Sequence, residues 1–333
     1  MAALCGFATL LNTPSVLATI PSNSFVRLLF QPAEETPGGA LPMIAAGALA
    51  DITEVYGWHN WPTAPVGTML LIPGTIMAHD SDFTITITGR GGHASAPAAS
   101  IDPVVCGAAI VLALQTVVSR TLPSSANAVL SVTMFHAGEA TNVIPDTAVI
   151  SGTIRDLSAA TFQLIVATVE GIVTNTAAAH RCTGTVAYLE GYAETANHAI
   201  NTEIVKNLAA QQPNPMTVSS DSLPLMGSED FGYYLQSRPG CFFICGTYEA
   251  KRSRISAFTI PGEGLTIPGA GWSNGMQTGP RTNCLCHGTS YDFNDNVLPY
   301  VVSMFLKIVD DRLAEGSGFV GGFTDDGVEA KVE

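Results

Sequence analysis

The 333 residues hold 14 Lys+Arg against 28 Asp+Glu, a net charge of -14, with 47% hydrophobic and 8% aromatic residues. That charge repels nucleic acid and anionic membranes, and the apolar content excludes a disordered chain. The length suffices for two domains, and seven cysteines, several set among apolar residues (Cys106, Cys241, Cys245), point to thiols in a reducing, cytoplasmic compartment rather than to a disulfide scaffold.

Residues 2–11 read as a helix stopped by Asn12-Thr-Pro14, and this apolar start lacks the basic segment of a secretory leader. The apolar run 25–30 predicts a strand buried on both faces, ending at Glu34-Glu35. A short helix over 43–49 follows, then a strand over 55–59 that delivers His59 at its C-terminal end, where open α/β sheets gather their functional groups. At Asp82 the character changes. Phe83-Thr-Ile-Thr-Ile-Thr88 alternates with period two, the pattern of a strand with one wet face.

A helix over 103–119 opens at Asp102-Pro103 and is too short for a membrane span. Strands over 128–136 and 147–155, a helix over 159–179 and a strand over 183–189 complete a βαββαβ, ferredoxin-like order. Beyond Glu190 the α/β character returns with a helix over 203–210, the segment Met226-Gly-Ser-Glu-Asp-Phe231, a strand over 241–246 and a helix over 298–313. The Gly/Pro-rich stretch 261–280 reads as an insertion loop and the tail from Glu315 as frayed. The expected organisation is a domain built from 1–80 and 190–333, interrupted by a second domain at 81–189.

Two adjacent glutamates at the end of a buried strand are costly unless something positive meets them, and a metal ion is the natural answer. One carboxylate can bind the cation while its neighbour moves protons. Each candidate has a plainer reading. Glu34 and Glu35 would serve as a solvated strand end, His59 as a packed aromatic-cluster histidine between Trp58 and Trp61, His93 as a surface histidine in a glycine-rich turn. Arg155 would be a salt-bridged strand end, and Glu229 a helix N-terminal carboxylate. Cys284-Leu-Cys286-His287 lacks a second cysteine pair at finger spacing, which disfavours a structural zinc site. His136 and His180 fit no motif.

Taken in order, Gln-Pro-Ala-Glu34-Glu35, Gly-Trp-His59-Asn-Trp-Pro, Gly-Arg-Gly-Gly-His93-Ala-Ser-Ala-Pro, Thr-Asn142-Val-Ile-Pro-Asp with Ser-Gly-Thr-Ile-Arg155-Asp, Met-Gly227-Ser228-Glu-Asp-Phe, and His287-x3-Tyr-Asp-Phe-Asn-Asp resemble the peptidase M20 family. The likeness is to its amidohydrolase branch of aminoacylase, hippurate hydrolase and auxin-conjugate hydrolase type. It implies a zinc-peptidase-like catalytic domain with an inserted dimerisation or lid domain, and hydrolysis of the amide bond of N-acyl amino acids or small peptides. Glu34 matches the general base and acid. Glu35, His59 and His287 match metal ligands of a site that holds two divalent ions in the family, zinc or manganese. His93 matches a histidine that stabilises the oxyanion in a partner subunit's site, which implies a homodimer. Asn142 and Arg155 match residues holding the substrate's carboxylate, and Gly227 and Ser228 are further substrate-binding positions.

Two departures from the family pattern shape the expectation. Upstream of the Glu-Glu strand, family members carry a metal-bridging aspartate and a Cys-Gly-His-Asp-Gly-His motif, and this sequence has neither. A catalytic domain short of part of its sheet and ligands is therefore expected, with impaired activity; the alternative is a non-catalytic dimerising or ligand-binding protein of the same fold. Locally, His287 is followed by Gly288-Thr289 where relatives carry Asn-Pro, although Tyr291-Asp-Phe-Asn-Asp295 keeps its spacing.

Overall fold

The computed structural model describes residues 2–18, 20–35, 38–249, 257–259, 266–268, 286, 291 and 293–314. It divides into two compact units. One comprises Met1–Ile76, Ala196–Leu223 and Tyr233–Glu333, the other Met77–Thr195 and Pro224–Gly232.

The first unit is built on a four-stranded mixed sheet in the order Val55–Pro65, Gly240–Tyr248, Thr68–Leu70, Thr217–Ser219. Val55–Pro65 runs parallel to Gly240–Tyr248, with His59 opposite Ile244. Cys241-Phe-Phe-Ile-Cys245 is buried throughout, as a continuous apolar run in a central strand requires. Helices Ala2–Leu11, Ala199–Gln211 and Leu298–Leu313 contribute to one core with it, in which Phe305 lies 5.5 Å from Phe7 and 5.8 Å from Phe243 between ring centroids.

The run 25–30 departs from expectation. It is extended, with Val26 and Leu28 packed on the core, yet it belongs to no sheet, and Phe25 and Phe30 are exposed. An apolar alternation specifies which side chains turn inward, but a strand also needs a hydrogen-bonding neighbour, and none pairs with it among the described residues. The short helix expected over 43–49 lies at Ala40–Ala45. In the stretch read as an insertion loop, Thr266–Pro268 pairs antiparallel with Ala257–Thr259; the rest of it and the tail from Glu315 lie outside the described residues.

The second unit is a βαββαβ fold. Its sheet order is Ala128–Ala137, Thr147–Asp156, His79–Thr88, Thr183–Glu190, with every neighbouring pair antiparallel. Thr147–Asp156 alternates strictly between buried and less buried positions, so Ile150 and Ile154 face a core shared with Ile110 and Leu114 of one helix and Ile165 and Val169 of the other. Helix Pro103–Thr116 begins where Asp102 Oδ1 accepts from Val104 N at 2.8 Å, with Pro103 at its first position. Segments Pro103–Thr121 and Ala159–Ala179 are long and apolar enough to cross a membrane by length and composition. In this structure one face of each packs on the core through Ile110 and Leu114 or Ile165 and Val169, while Val105, Leu112 and Leu164 are exposed.

Candidate functional site

In the first unit the chain bends at Glu34 and Glu35, which follow the extended run; Glu34 is half-buried and Glu35 exposed. The bend is fixed by Gln31, whose Nε2 donates to Ala33 O at 2.7 Å and whose Oε1 accepts from Tyr234 Oη at 3.1 Å. Gly39 closes it from the other side, because a Cβ there would lie 2.4 Å from Ala33 O. Arg27 ties the run to the next turn by donating to the carbonyls of Ala48 and Ala50.

His59 is half-buried on strand Val55–Pro65, and its Nδ1 lies 2.6 Å from Asn60 O. A carbonyl only accepts, so Nδ1 carries the proton and the ring's lone pair sits on Nε2, the tautomer of a metal-ligating histidine. Asn60 Nδ2 donates to Tyr291 Oη and reaches Cys286 Sγ at 3.7 Å. Burial raises the Cys286 thiol pKa, opposed by its contact with Asn60. The third expected metal ligand, His287, lies outside the described residues.

In the second unit the glycine-rich turn and the Thr141-Asn142 turn are joined by a two-residue ladder: Gly92 pairs with Ile144 and His93 with Val143, and Ala94 N donates to Asn142 O at 2.9 Å. Motifs fifty residues apart in sequence therefore sit side by side. His93 is exposed, and its Nδ1 receives the Ser95 N–H at 3.2 Å with Ser95 Oγ at 2.7 Å. Because the amide can only donate, Nδ1 is the acceptor, and the neutral ring holds its proton on Nε2, available to an oxyanion.

Arg155 is a salt-bridged strand end, as the plain reading has it, with Asp80 as its partner. Asp156, its neighbour, turns to the buried face and binds His79 Nδ1 at 2.7 Å, while Arg155 Nη1 donates to Ser228 Oγ at 2.8 Å and lies 3.3 Å from Asp80 Oδ2. The hydrogen bond to Asp156 raises the His79 pKa above its ordinary value, against an opposing effect of burial. Gly227 O accepts from Ala78 N at 2.9 Å, which fixes the backbone beside Ser228. Glu229 and Asp230 are buried, and Glu229 Oε1 accepts from Phe231 N at 3.2 Å just ahead of helix Gly232–Ser237.

Sequence reasoning missed Asp80 and His79 because it opened their strand at the first clear alternation, Phe83. The strand begins at His79, and antiparallel register sets His79 opposite Asp156 and Asp80 opposite Arg155. Extending the period-two pattern backwards through His79-Asp-Ser-Asp82 was the signal that would have found them.

Residues 7–256 match the model of peptidase family M20/M25/M40. The chain belongs to this family. The M20 chain is 36% identical over 242 residues to N-acetylcysteine deacetylase of Bacillus subtilis, covering 73% of this chain and 63% of that protein. It is 31% identical over 313 residues to IAA-amino acid hydrolase ILR1-like 2 of Arabidopsis thaliana, covering 90% of this chain and 63% of that one. It thus spans less than two thirds of the length of these relatives. Among solved structures, the Bacillus subtilis YXEP protein, a dinuclear metal-binding peptidase from the M20 family, shares the fold with a TM-score of 0.68 at 24% identity, over 93% of this chain and 70% of that one.

Proposed function

We propose that the M20 chain carries the machinery for metal-dependent hydrolysis of the amide bond of N-acyl amino acids or small peptides. The reading rests on family membership and on relatives named a deacetylase and an amino acid conjugate hydrolase. The single observation that carries the substrate class is Arg155: Ser228 and Asp80 both grip Nη1, so the remaining edge of the planar guanidinium has no partner among the described residues and suits a carboxylate.

The residues present fit a divalent cation, since a carboxylate pair and an imidazole with its lone pair on Nε2 form a donor set suited to zinc or manganese. Glu35, His59 and His287 would hold it. Such an ion supplies polarisation of the amide carbonyl and a lowered pKa for water. Glu34 takes the proton of the attacking water and returns it to the leaving amine nitrogen. His93 donates an Nε2–H hydrogen bond to the oxyanion developing in the partner subunit's site, while Arg155, with Asn142, Gly227 and Ser228, holds the carboxylate end.

We also propose a homodimer and a cytoplasmic location. The edge strand Ala128–Ala137 exposes Met134 and Phe135, which suits a subunit contact, and the buried thiols of Cys106, Cys241 and Cys245 suit a reducing compartment.

The test is an assay of the purified 333-residue chain on N-acetyl amino acids and dipeptides, after chelation and resupply of zinc or manganese. Hydrolysis is expected with metal, and Glu34→Ala should abolish it while leaving metal content nearly intact. Ligand binding without hydrolysis under every metal condition would install the non-catalytic reading instead.

A further inference from the structure

We propose that Asp80 is a positioning residue that sets the orientation of Arg155 for carboxylate recognition, and that Gly191 is required to seat it. The inference rests on the reading of Arg155 as the carboxylate anchor. Three observations within the second unit carry it.

Asp80 lies opposite Arg155 in the antiparallel register of strands His79–Thr88 and Thr147–Asp156, so the two side chains leave the sheet on the same face. Its carboxylate is divided between two partners: Oδ1 accepts from Tyr192 N at 2.7 Å, and Oδ2 lies 3.3 Å from Arg155 Nη1. The backbone of Gly191-Tyr192 then wraps Asp80, with Gly191 N donating to Asp80 O and Asp80 N donating to Tyr192 O, both at 3.0 Å.

Gly191 makes this seat possible. A Cβ at that position would lie 2.1 Å from Asp80 Oδ2 and 2.5 Å from its Cγ, closer than any real Cβ contact, so a side chain there would displace the carboxylate. Arg155 itself is only partly buried, and an arginine at such a site rotates freely unless something fixes it. Ser228 and Asp80 both hold Nη1, which directs the opposite edge of the fork outwards. A bidentate interaction depends on that orientation more than on charge alone.

The experiment compares binding to the full chain of N-(benzenesulfonyl)glycine, a carboxylate ligand with no scissile amide, and of its carboxamide, by calorimetry. The wild type should prefer the carboxylate by about tenfold or more, and Arg155→Ala should remove the preference. A wild type without preference, or an Arg155→Ala chain that keeps it, overturns the carboxylate reading and the inference with it.

With that reading in place, Asp80→Ala and Gly191→Ala should each cut the preference by roughly five- to tenfold, as expected for a fork that has lost its orientation. If Asp80 acted only as a charge near the ligand, its removal would raise the preference. A preference retained or raised in any folded variant overturns the proposal. Melting temperatures identify the folded variants. Asp80→Glu, which keeps the charge but overshoots Arg155 by one methylene, carries the same expectation should Asp80→Ala fail to fold. A purely structural role would weaken both ligands equally and leave the ratio unchanged.

Discussion

Arg312 and Glu54 form a two-pronged ion pair in which Nε and Nη2 each lie 2.9 Å from one carboxylate oxygen, with both side chains at least nine-tenths buried. Tyr56 Oη adds a third donor to Glu54 at 2.8 Å and accepts from Asn201 Nδ2 at 2.9 Å. The network fastens helices Leu298–Leu313 and Ala199–Gln211 to the beginning of the strand that carries His59. Burial and the neighbouring Glu54 both raise the Tyr56 pKa, so the phenol stays protonated as a donor.

Arg312→Ala should therefore be among the most damaging substitutions in the first unit. It leaves the Glu54 carboxylate buried without its counter-charge, which costs about 3–5 kcal/mol. Denaturant unfolding followed by Trp58 and Trp61 fluorescence measures this, and a loss below about 1 kcal/mol would show that the pair is solvated in solution. Tyr56→Phe removes two hydrogen bonds, the one donated to Glu54 and the one accepted from Asn201, and should cost about 2 kcal/mol.

The pair His79–Asp156 predicts a pH dependence in the second unit. The folded-state pKa of His79 is raised, so its contribution is complete below the ordinary value of about 6.5 and is lost as pH rises through the folded value. Stability should decline on going from pH 6 to mildly alkaline conditions, and His79→Gln should flatten that decline. Asp80 and Glu194 also raise the pKa, so the slope should weaken in Asp80→Asn. An unchanged slope in His79→Gln would assign the pH dependence elsewhere.

The second unit was nearly legible in the sequence and the first only in part, for one physical reason. In the βαββαβ unit each strand has a wet face and each helix a buried stripe, so the periods of 2 and 3.6 appear directly in Thr147–Asp156 and Ala159–Ala179. Its most misplaced strand boundary falls where polar side chains have specific partners: His79, Asp80 and Ser81 conceal strand residues that bond Asp156, Arg155 and Leu189. In the first unit apolar runs report burial without reporting pairing. Gly240–Tyr248 is a central strand, whereas 25–30, equally apolar, only leans on the core. Candidate residues were legible as a family pattern, but the tautomers of His59 and His93 depend on a backbone carbonyl and a backbone amide that no side-chain motif encodes.

Asn60 supplies a prediction for the proposed metal site. Its side chain holds Tyr291 and Cys286, and Asn60→Ala would release that segment while leaving the Asn60 carbonyl on His59. Outer groups that orient metal ligands typically contribute 10–100-fold in affinity. Zinc affinity measured by chelator competition should fall by about that factor, with thermal stability little changed. Unaltered affinity would show that the segment bearing Cys286 and Tyr291 does not assist the cation.

Ser95 fixes the proton of His93, and its removal should be visible without any turnover. In the wild type two Ser95 donors converge on Nδ1, so the imidazole nitrogen chemical shifts should report the Nε2–H tautomer almost exclusively. Ser95→Ala deletes the shorter contact at 2.7 Å and leaves the amide at 3.2 Å, so a measurable Nδ1–H population should appear. Because only the Nε2–H form can donate outwards, any hydrolytic activity should fall in proportion to the lost tautomer, with little change in KM. A shifted tautomer with unchanged kcat would remove His93 from the oxyanion role while leaving the hydrogen-bond geometry of the turn intact.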